Sequence, residues 1–359
     1  MNAEHDISNC SGEAVLVTVG VIVRNEREHI TATLEHLARM QFSKGKFEVI
    51  VVDGNSTDGT PELVHQFAGA HPELTIWLIT ESKPGSHGNA RNTVLDHARG
   101  RYIAFTDADC LVAEDWLEKL VGVLEEARQS DTRVVGAGGI RYPVETSDWK
   151  ERILNAMFAS PLGNGGSAGF ALKGHRYVDS IPNYNAIYLA EVARAVRYLP
   201  IRVGEDFEFN HQLVRAGYRL VQASTPVVRH RQQGSFVAFA WQMWGYGRGQ
   251  AAVWKLSGFV RPFAPAAALF WLGVLLGGIL LLPFPALIWV YFAVMGVYAA
   301  VIVVGTLVLV LEQRSWQMLP ALLLFPLQHA CYGFGFVYGL LIRAPTVQRA
   351  QDPAPSLGG

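Results

Sequence analysis

The stretch Tyr102-Ile103-Ala104-Phe105-Thr106-Asp107-Ala108-Asp109-Cys110, "YIAFTDADC", begins as a core strand and ends in two carboxylates one alanine apart. A buried strand gains nothing from two like charges at its end, so the pair asks for a ligand. Three runs of the same kind precede it: Leu16 to Val23, Phe47 to Val52 and Leu74 to Thr80. Helical patterns separate them, from about Glu28 to Met40 with Ile30, Leu34 and Leu37 on one face, after "GNSTDGT", and from Asn89 to His97. With Arg101 to Thr106 as the fourth strand, the order βαβαβαβ predicts an α/β fold, a mostly parallel sheet with helices on both faces.

Ligands of such sheets bind at the carboxyl ends of the strands. The polar clusters fall there: Arg24-Asn25-Glu26, Asp53, Glu81-Ser82-Lys83 and Asp107-Ala108-Asp109. One aspartate after a strand is ordinarily a turn residue. Four clusters at four consecutive strand ends favour a binding site. Carboxylates spaced i, i+2 at a strand end can converge on a hard cation, Mg²⁺ or Mn²⁺, of the kind that neutralises a departing diphosphate. No GxxxxGK[ST] loop is present, and Gly85-Ser86-His87-Gly88-Asn89 lacks the dinucleotide-binding spacing. In "VGEDFEFNHQLVRAGY", Glu205 and Asp206 open an amphipathic helix. Acidic residues there complement the helix dipole, and beside a cation site one of them can also serve as a general base.

The net charge of −1 disfavours a nucleic-acid partner. Cys10, Cys110 and Cys331 sit far apart and form no CxxC pair, which argues against a zinc site and against a disulfide framework and fits a reducing, cytoplasmic setting. The amino terminus does not read as a secretory signal. The charges crowd into the first 260 residues; Pro262 to Leu311 carries none, and neither does Met318 to Ile342. A membrane span needs about 20 apolar residues. Three spans are therefore expected, at about 262–282, 286–311 and 318–342, with re-entry of the third as the alternative. Arg248, Lys255, Arg261 and Arg314 then fall on one side and Arg343 and Arg349 on the other, which puts the soluble domain in the cytoplasm. The domains are a tail over 1–14, a catalytic domain over 15–234, an aromatic interfacial segment over 235–261, the membrane domain over 262–342 and a tail over 343–359.

"VIVRNE", "VVDGNSTDGT", "GNARN", "GRYIAFTDADC" and "GEDFEFNHQLVRAGY", in this order, resemble the inverting family-two glycosyltransferases of GT-A fold over residues 15 to 230. "GNGGSAGFALKGHRYVDSIPNYNAIYL" and "YGRGQA" resemble the membrane-bound succinoglycan type, with a helical transmembrane domain after the catalytic one. The resemblance implies a nucleotide-sugar donor, foremost a UDP-sugar, and a hexosyltransferase at the cell membrane acting on a lipid-linked acceptor. Asp53 would bond the base, with Arg24 and Glu26 in the same pocket, and Arg91 would face the diphosphate. Asp107 would hold ribose or metal, Asp109 and His230 the metal, and Asp206, beside Glu205, would be the base. The chain departs from the processive synthases: Gln242 and Arg248 have the wrong spacing for a Gln-x-x-Arg-Trp motif, so single-sugar transfer is expected. A polyprenyl-phosphate sugar synthase and a sugar-nucleotide-binding protein without turnover are the alternatives.

Overall fold

The computed structural model describes residues 14–81, 85–164, 174–232, 234–258, 260 and 262–343. The amino-terminal tail to residue 13, Ser82, Lys83, Arg261, and the tail from residue 344 with Arg349 lie outside them. In chain order come β1 (Val17–Val23), α1 (Ile30–Arg39), β2 (Phe47–Asp53), α2 (Thr60–Ala70), β3 (Ile76–Thr80), α3 (His87–His97) and β4 (Tyr102–Asp107), within two residues of the starts and ends the periodicity predicts. There follow β5 (Cys110–Val112), α4 (Trp116–Ser130), β6 (Val134–Pro143), α5 (Trp149–Ala159), α6 (Pro161–Asn164), β7 (His175–Val178), β8 (Ala186–Leu189), α7 (Ala190–Val196), α8 (Glu205–Arg215) and β9 (Arg219–His230). Four long helices close the described chain: α9 (Phe236–Ser257), α10 (Phe263–Leu280), α11 (Pro285–Gln313) and α12 (Ala321–Leu341).

The chain parts into two compact units. One holds the described residues up to Val144 and from Gly174 to Arg231; the other holds Glu145 to Asn164 and the described residues from Gln232 onward. The excursion with α5 and α6, placed inside the catalytic domain by the sequence, thus belongs with the carboxyl-terminal helices. Its long-range contacts decide this, and local periodicity does not report them.

In the first unit the strands lie in the order β3-β2-β1-β4-β8-β6-β9-β5, with β7 on β9. The β3-β2-β1-β4 half is parallel. Beyond it β8 runs antiparallel between β4 and β6, and β9 pairs parallel with β6. Strand alternation divides the core between two faces. Val17, Val19, Val49 and Val51 point to one, with Ile30 and Leu34 of α1 and Trp116 of α4; Ile50, Val52, Ile103 and Phe105 point to the other, with Val94 of α3 and Phe209 of α8. Helices therefore cover both faces of the sheet.

In the second unit, Phe263–Leu280, Pro285–Gln313 and Trp316–Leu341 are long and apolar enough to cross a membrane. Helix α9 lies along the later half of α12. Glycines make this possible: a Cβ on Gly247 would sit 2.7 Å from Phe336 N, one on Gly339 2.7 Å from Ala251 Cβ, and one on Gly335 would meet the Trp244 carbonyl. Trp254 stacks on Phe336 at 5.9 Å. The aromatic faces of α9 are thus divided: Phe239 is buried, whereas Trp241 is 68 % exposed. The sequence carries two GxxxG spacings, Gly273/Gly277 and Gly335/Gly339; the second carries a helix contact, while Gly277 packs on the Tyr291 ring and Gly273 faces open space.

Two polar residues in the middle of α12 bond outward, although Gln328 Oε1 is buried without a partner. Gln328 Nε2 donates to Gly163 O at 2.7 Å, and His329 Nε2 donates to Leu162 O at 3.0 Å while its Nδ1 accepts from the Tyr298 hydroxyl at 3.0 Å. Lys255 Nζ, at the end of α9, donates to the carbonyls of Gly339 (2.9 Å), Leu340 (2.6 Å) and Ile342 (2.6 Å). The separation of Lys255 from Arg343 on opposite sides of a bilayer, expected from the sequence, is therefore incorrect. The ammonium caps the last carbonyls of the helix that Arg343 follows.

Candidate active site

The loops after β1 and β2 are buttoned together. Asn25 takes a left-handed φ of 56° and Asn55 one of 61°, which Asn tolerates well. From that turn Asn25 N donates to Ser56 Oγ at 2.8 Å, Glu26 N to Thr60 Oγ1 at 3.0 Å and Arg27 N to Asp58 Oδ2 at 3.0 Å, while Asn25 Oδ1 accepts from Thr57 N at 2.9 Å. "RNE" and "GNSTDGT" are one structural device. Asp53, 2 % exposed, accepts from Ser56 N at 3.1 Å, the ordinary turn bond of an aspartate. Its carbonyl accepts from Glu81 N at 2.8 Å. Burial raises the pKa of Glu81, with Arg24 opposing. Arg24, Asp53 and Glu81 thus gather at the ends of β1, β2 and β3.

Asp107 and Asp109 leave the end of β4, and Thr33 Oγ1 fixes the turn between them by donating to Ala108 O at 2.7 Å. His230 reaches the same place from β9, where it is the register partner of Cys110. Its Nε2 stands 3.6 Å from Asp109 Oδ1 and 3.9 Å from Asp107 Oδ2, and its Nδ1 donates to Arg231 O at 2.5 Å. Burial opposes the imidazolium, but the Asp109 and Asp107 carboxylates hold His230 above its ordinary pKa. Burial likewise works against ionisation of Asp107, yet His230 and Arg91 bring its pKa down to about 2. Glu26 belongs electrostatically to this cluster: burial, then Asp109 and Asp107, push its pKa up to about 7.

Arg91 joins the cluster to α8. The 3 %-exposed side chain donates from Nη2 to Asp107 Oδ1 at 3.4 Å and from Nε to Glu205 Oε1 at 3.2 Å, its guanidinium lying over the Phe105 ring at 5.1 Å. Its Nη1 is buried without a partner. Burial opposes the charge, but Glu205 and Asp107 raise the pKa of Arg91 further. Glu205, pushed up to about 8 by burial against the pull of Arg91, is spent on holding that side chain. Asp206, half-buried beside it, accepts from Phe207 N at 2.7 Å. Gly204, with φ of 87°, lets α8 begin so abruptly that both acids face the site region.

The structure thus brings together Glu26, Arg91, Asp107, Asp109, Glu205 and His230, with Asp206 on the same helix start, while Arg24 and Asp53 gather around Glu81. Sequence reasoning missed Cys110, whose Sγ lies within 4.8 Å of ligand atoms of Asp109 and His230. Its adjacency to Asp109 was visible and the resemblance already brought His230 to Asp109; the pairing of β5 with β9 that sets Cys110 opposite His230 was not.

The family model described as glycosyl transferase family 2 matches residues 18–177, and that described as glycosyl transferase family group 2 matches residues 102–304. The chain belongs to the family-two glycosyltransferases. It is 23 % identical over 322 residues to the dolichyl N-acetyl-α-D-glucosaminyl phosphate 3-β-D-2,3-diacetamido-2,3-dideoxy-β-D-glucuronosyltransferase of Methanococcus voltae, covering 88 % of this chain and 94 % of the relative. To the succinoglycan biosynthesis protein ExoA of Rhizobium meliloti it is 28 % identical over 236 residues, 63 % of this chain and 66 % of the relative. The solved mannosyltransferase PcManGT from Pyrobaculum calidifontis, in complex with GDP-Man and Mn²⁺, superposes with a TM-score of 0.55 at 22 % identity, covering 89 % of this chain and 88 % of that one. The fold is GT-A.

The raised Glu26 pKa makes a pH prediction. An unfolded glutamate ionises near 4.5, whereas the folded one keeps its proton to about 7. The native state therefore loses stability between those values as pH rises, and the loss is complete above them. In chelator, Glu26→Gln should melt a few degrees above wild type at pH 8 and no differently at pH 4, as followed by thermal unfolding in detergent.

Proposed function

We propose that the protein moves one sugar from a nucleotide-sugar to a hydroxyl of a lipid-linked saccharide at the membrane surface, with inversion at the anomeric carbon. The observation that carries this reading is the convergence of Asp107, Asp109 and His230 Nε2 at the sheet's carboxyl edge, beside the buried, permanently charged Arg91. Two carboxylates and an imidazole whose other nitrogen is already bonded suit a divalent cation, and Asp107, Asp109 and His230 would hold it. When bound, Mg²⁺ or Mn²⁺ supplies neutralisation of the charge that develops on a departing diphosphate.

Arg91, kept charged and oriented by Glu205 and Asp107, offers N–H groups to the same diphosphate oxygens. Arg24, Asp53 and Glu81 form the region for the base. Asp206 takes the proton of the acceptor hydroxyl as that oxygen attacks the anomeric carbon and the bond to the diphosphate breaks on the opposite side. The printed name of the Methanococcus relative specifies a dolichyl-phosphate-linked acceptor, and that of the Rhizobium relative a polysaccharide. Together with three helices able to cross a membrane, these names support a membrane-bound enzyme with a lipid-linked acceptor; the cytoplasmic face rests on the positive-inside rule alone.

A screen of labelled nucleotide-sugars against membrane lipid extracts tests the proposal. Asp109→Ala should abolish transfer, and full turnover of that variant in chelator would remove the cation from the mechanism. Asp206→Asn should lower kcat by about 10²–10⁴. Near-normal activity of this variant would instead indicate an acceptor phosphate, already ionised and needing no base.

A further inference from the structure

Beside the two expected carboxylates, the cation site carries a sulfur. The ligand atoms of Asp109, Cys110 and His230 all lie within 4.8 Å of one another. Two edges of this triangle run from Asp109 Oδ1, to His230 Nε2 at 3.6 Å and to Cys110 Sγ at 3.8 Å. Ligand atoms around a tetrahedral ion with bonds of about 2.0–2.3 Å lie about 3.3–3.8 Å apart, so small side-chain shifts close the triangle on a cation. The backbone preforms it, because Cys110 and His230 are register partners on β5 and β9 and Arg231 N donates to Asp109 O at 3.2 Å. His230 Nδ1 is already committed to the Arg231 carbonyl, which directs Nε2 to the ion.

Where Asp107, Asp109 and His230 offer oxygen and nitrogen, the added thiolate sulfur of Cys110 favours thiophilic ions over Mg²⁺. We infer that Asp109, Cys110 and His230 form a site for a thiophilic divalent cation of the Zn²⁺ class, which competes with the ion used in catalysis. The inference rests on the cation reading of the same carboxylates, and the experiment separates the two. The probe is Cd²⁺, titrated into chelator-treated, full-length protein in detergent, with the ultraviolet thiolate-to-cadmium absorption as readout. Cys10→Ser/Cys331→Ser protein, whose remaining thiol is Cys110, should develop the band to saturation at one equivalent. Zn²⁺ should displace the Cd²⁺ at concentrations at least about tenfold below those at which Mg²⁺ does. Adding Cys110→Ser should remove the band. No band in the first variant, or a band that survives Cys110→Ser, overturns the inference. Mn²⁺ binding, followed by the magnetic resonance of the free ion, is measured in parallel. Mn²⁺ bound by wild type but not by Asp109→Ala, without a Cd²⁺ band, leaves the cation reading standing and removes the sulfur site. Binding of neither ion removes both.

The second unit carries an independent inference, about the path of α12. If α10 and α11 both cross the bilayer, Pro262 and Gln313 lie on one side, and α12 starts there. Its end is tied by Lys255 to within reach of the same side, since Lys255 stands seven residues before Pro262. Its middle is bonded through Gln328 and His329 to the short helix α6. The geometry points to α12 as a continuous helix, about 31 Å long, that lies along one face with both ends there, α10 and α11 being the crossing pair. Arg248, Lys255, Arg314 and Arg343 then all gather on that face, which the positive-inside rule places in the cytoplasm. Reporter fusions in a bacterial host test this, with fluorescent protein marking the cytoplasmic side and alkaline phosphatase the outer side. Fusions at Met1 and after Gly359 should report the cytoplasm, and one inserted in the Leu282 to Phe284 turn should report the outside. A carboxyl terminus on the side opposite Met1 overturns it.

Discussion

A guanidinium buried between two carboxylates holds the site together. Arg91 comes from α3, Asp107 from the end of β4 and Glu205 from the start of α8, and the two ion pairs join helices on one face of the sheet to the strand that ends in Asp107. Removing one member of such a set strands a buried charge, which typically costs about 3–5 kcal/mol. The arrangement explains why Glu205 and Asp206, adjacent in sequence, have different lives. Glu205 is fixed as the counter-ion of Arg91, and Asp206 beside it, which accepts from Phe207 N, is the proposed base. It also explains why Asp107 stays ionised next to Asp109 in a site where burial alone would favour the neutral acid.

The second unit solves a different problem with the same economy of partners. Gln and His inside an apolar helix are costly unless bonded. Here Gln328 Nε2 and both ring nitrogens of His329 have partners, two of them carbonyls of α6, a helix the chain makes between β6 and β7. Within this unit the excursion is tied again where Gln232 N, two residues after the end of β9, donates to Glu151 Oε1 at 3.2 Å. Strands β6 and β9 run parallel as far as the Pro143 and His230 pair, and each hands the chain to the second unit within two residues.

Much of this was legible before the structure. Strong local periodicity marked β1 to β4 and the three helices between them, and the strand-end rule located Asp53, Asp107 and Asp109 because parallel sheets present their carboxyl edge to ligands. The later strands were not assigned, since β5, β7 and β8 are three or four residues long and are defined by pairing with distant partners. The same reason hid the α5–α6 excursion, the α9–α12 contact and the meeting of Lys255 with the end of α12. All three rest on contacts remote in sequence. Cys110 shows the limit most clearly: a spacing rule that looks for CxxC pairs passes over a thiol whose partners, Asp109 next to it and His230 on another strand, complete a cluster only in space.

The central claim is that one site at the carboxyl edge of the sheet binds a nucleoside diphosphate through a divalent cation and Arg91. Calorimetric titration of UDP and GDP, each with Mn²⁺ and in chelator, into wild type and Arg91→Lys tests it most directly. The account predicts saturable binding of at least one of the two nucleotides that requires Mn²⁺ and weakens at least about tenfold in Arg91→Lys, because an ammonium cannot reproduce the fork that spans Glu205, Asp107 and the diphosphate. Nucleotide binding of equal strength in chelator and in Arg91→Lys would contradict it.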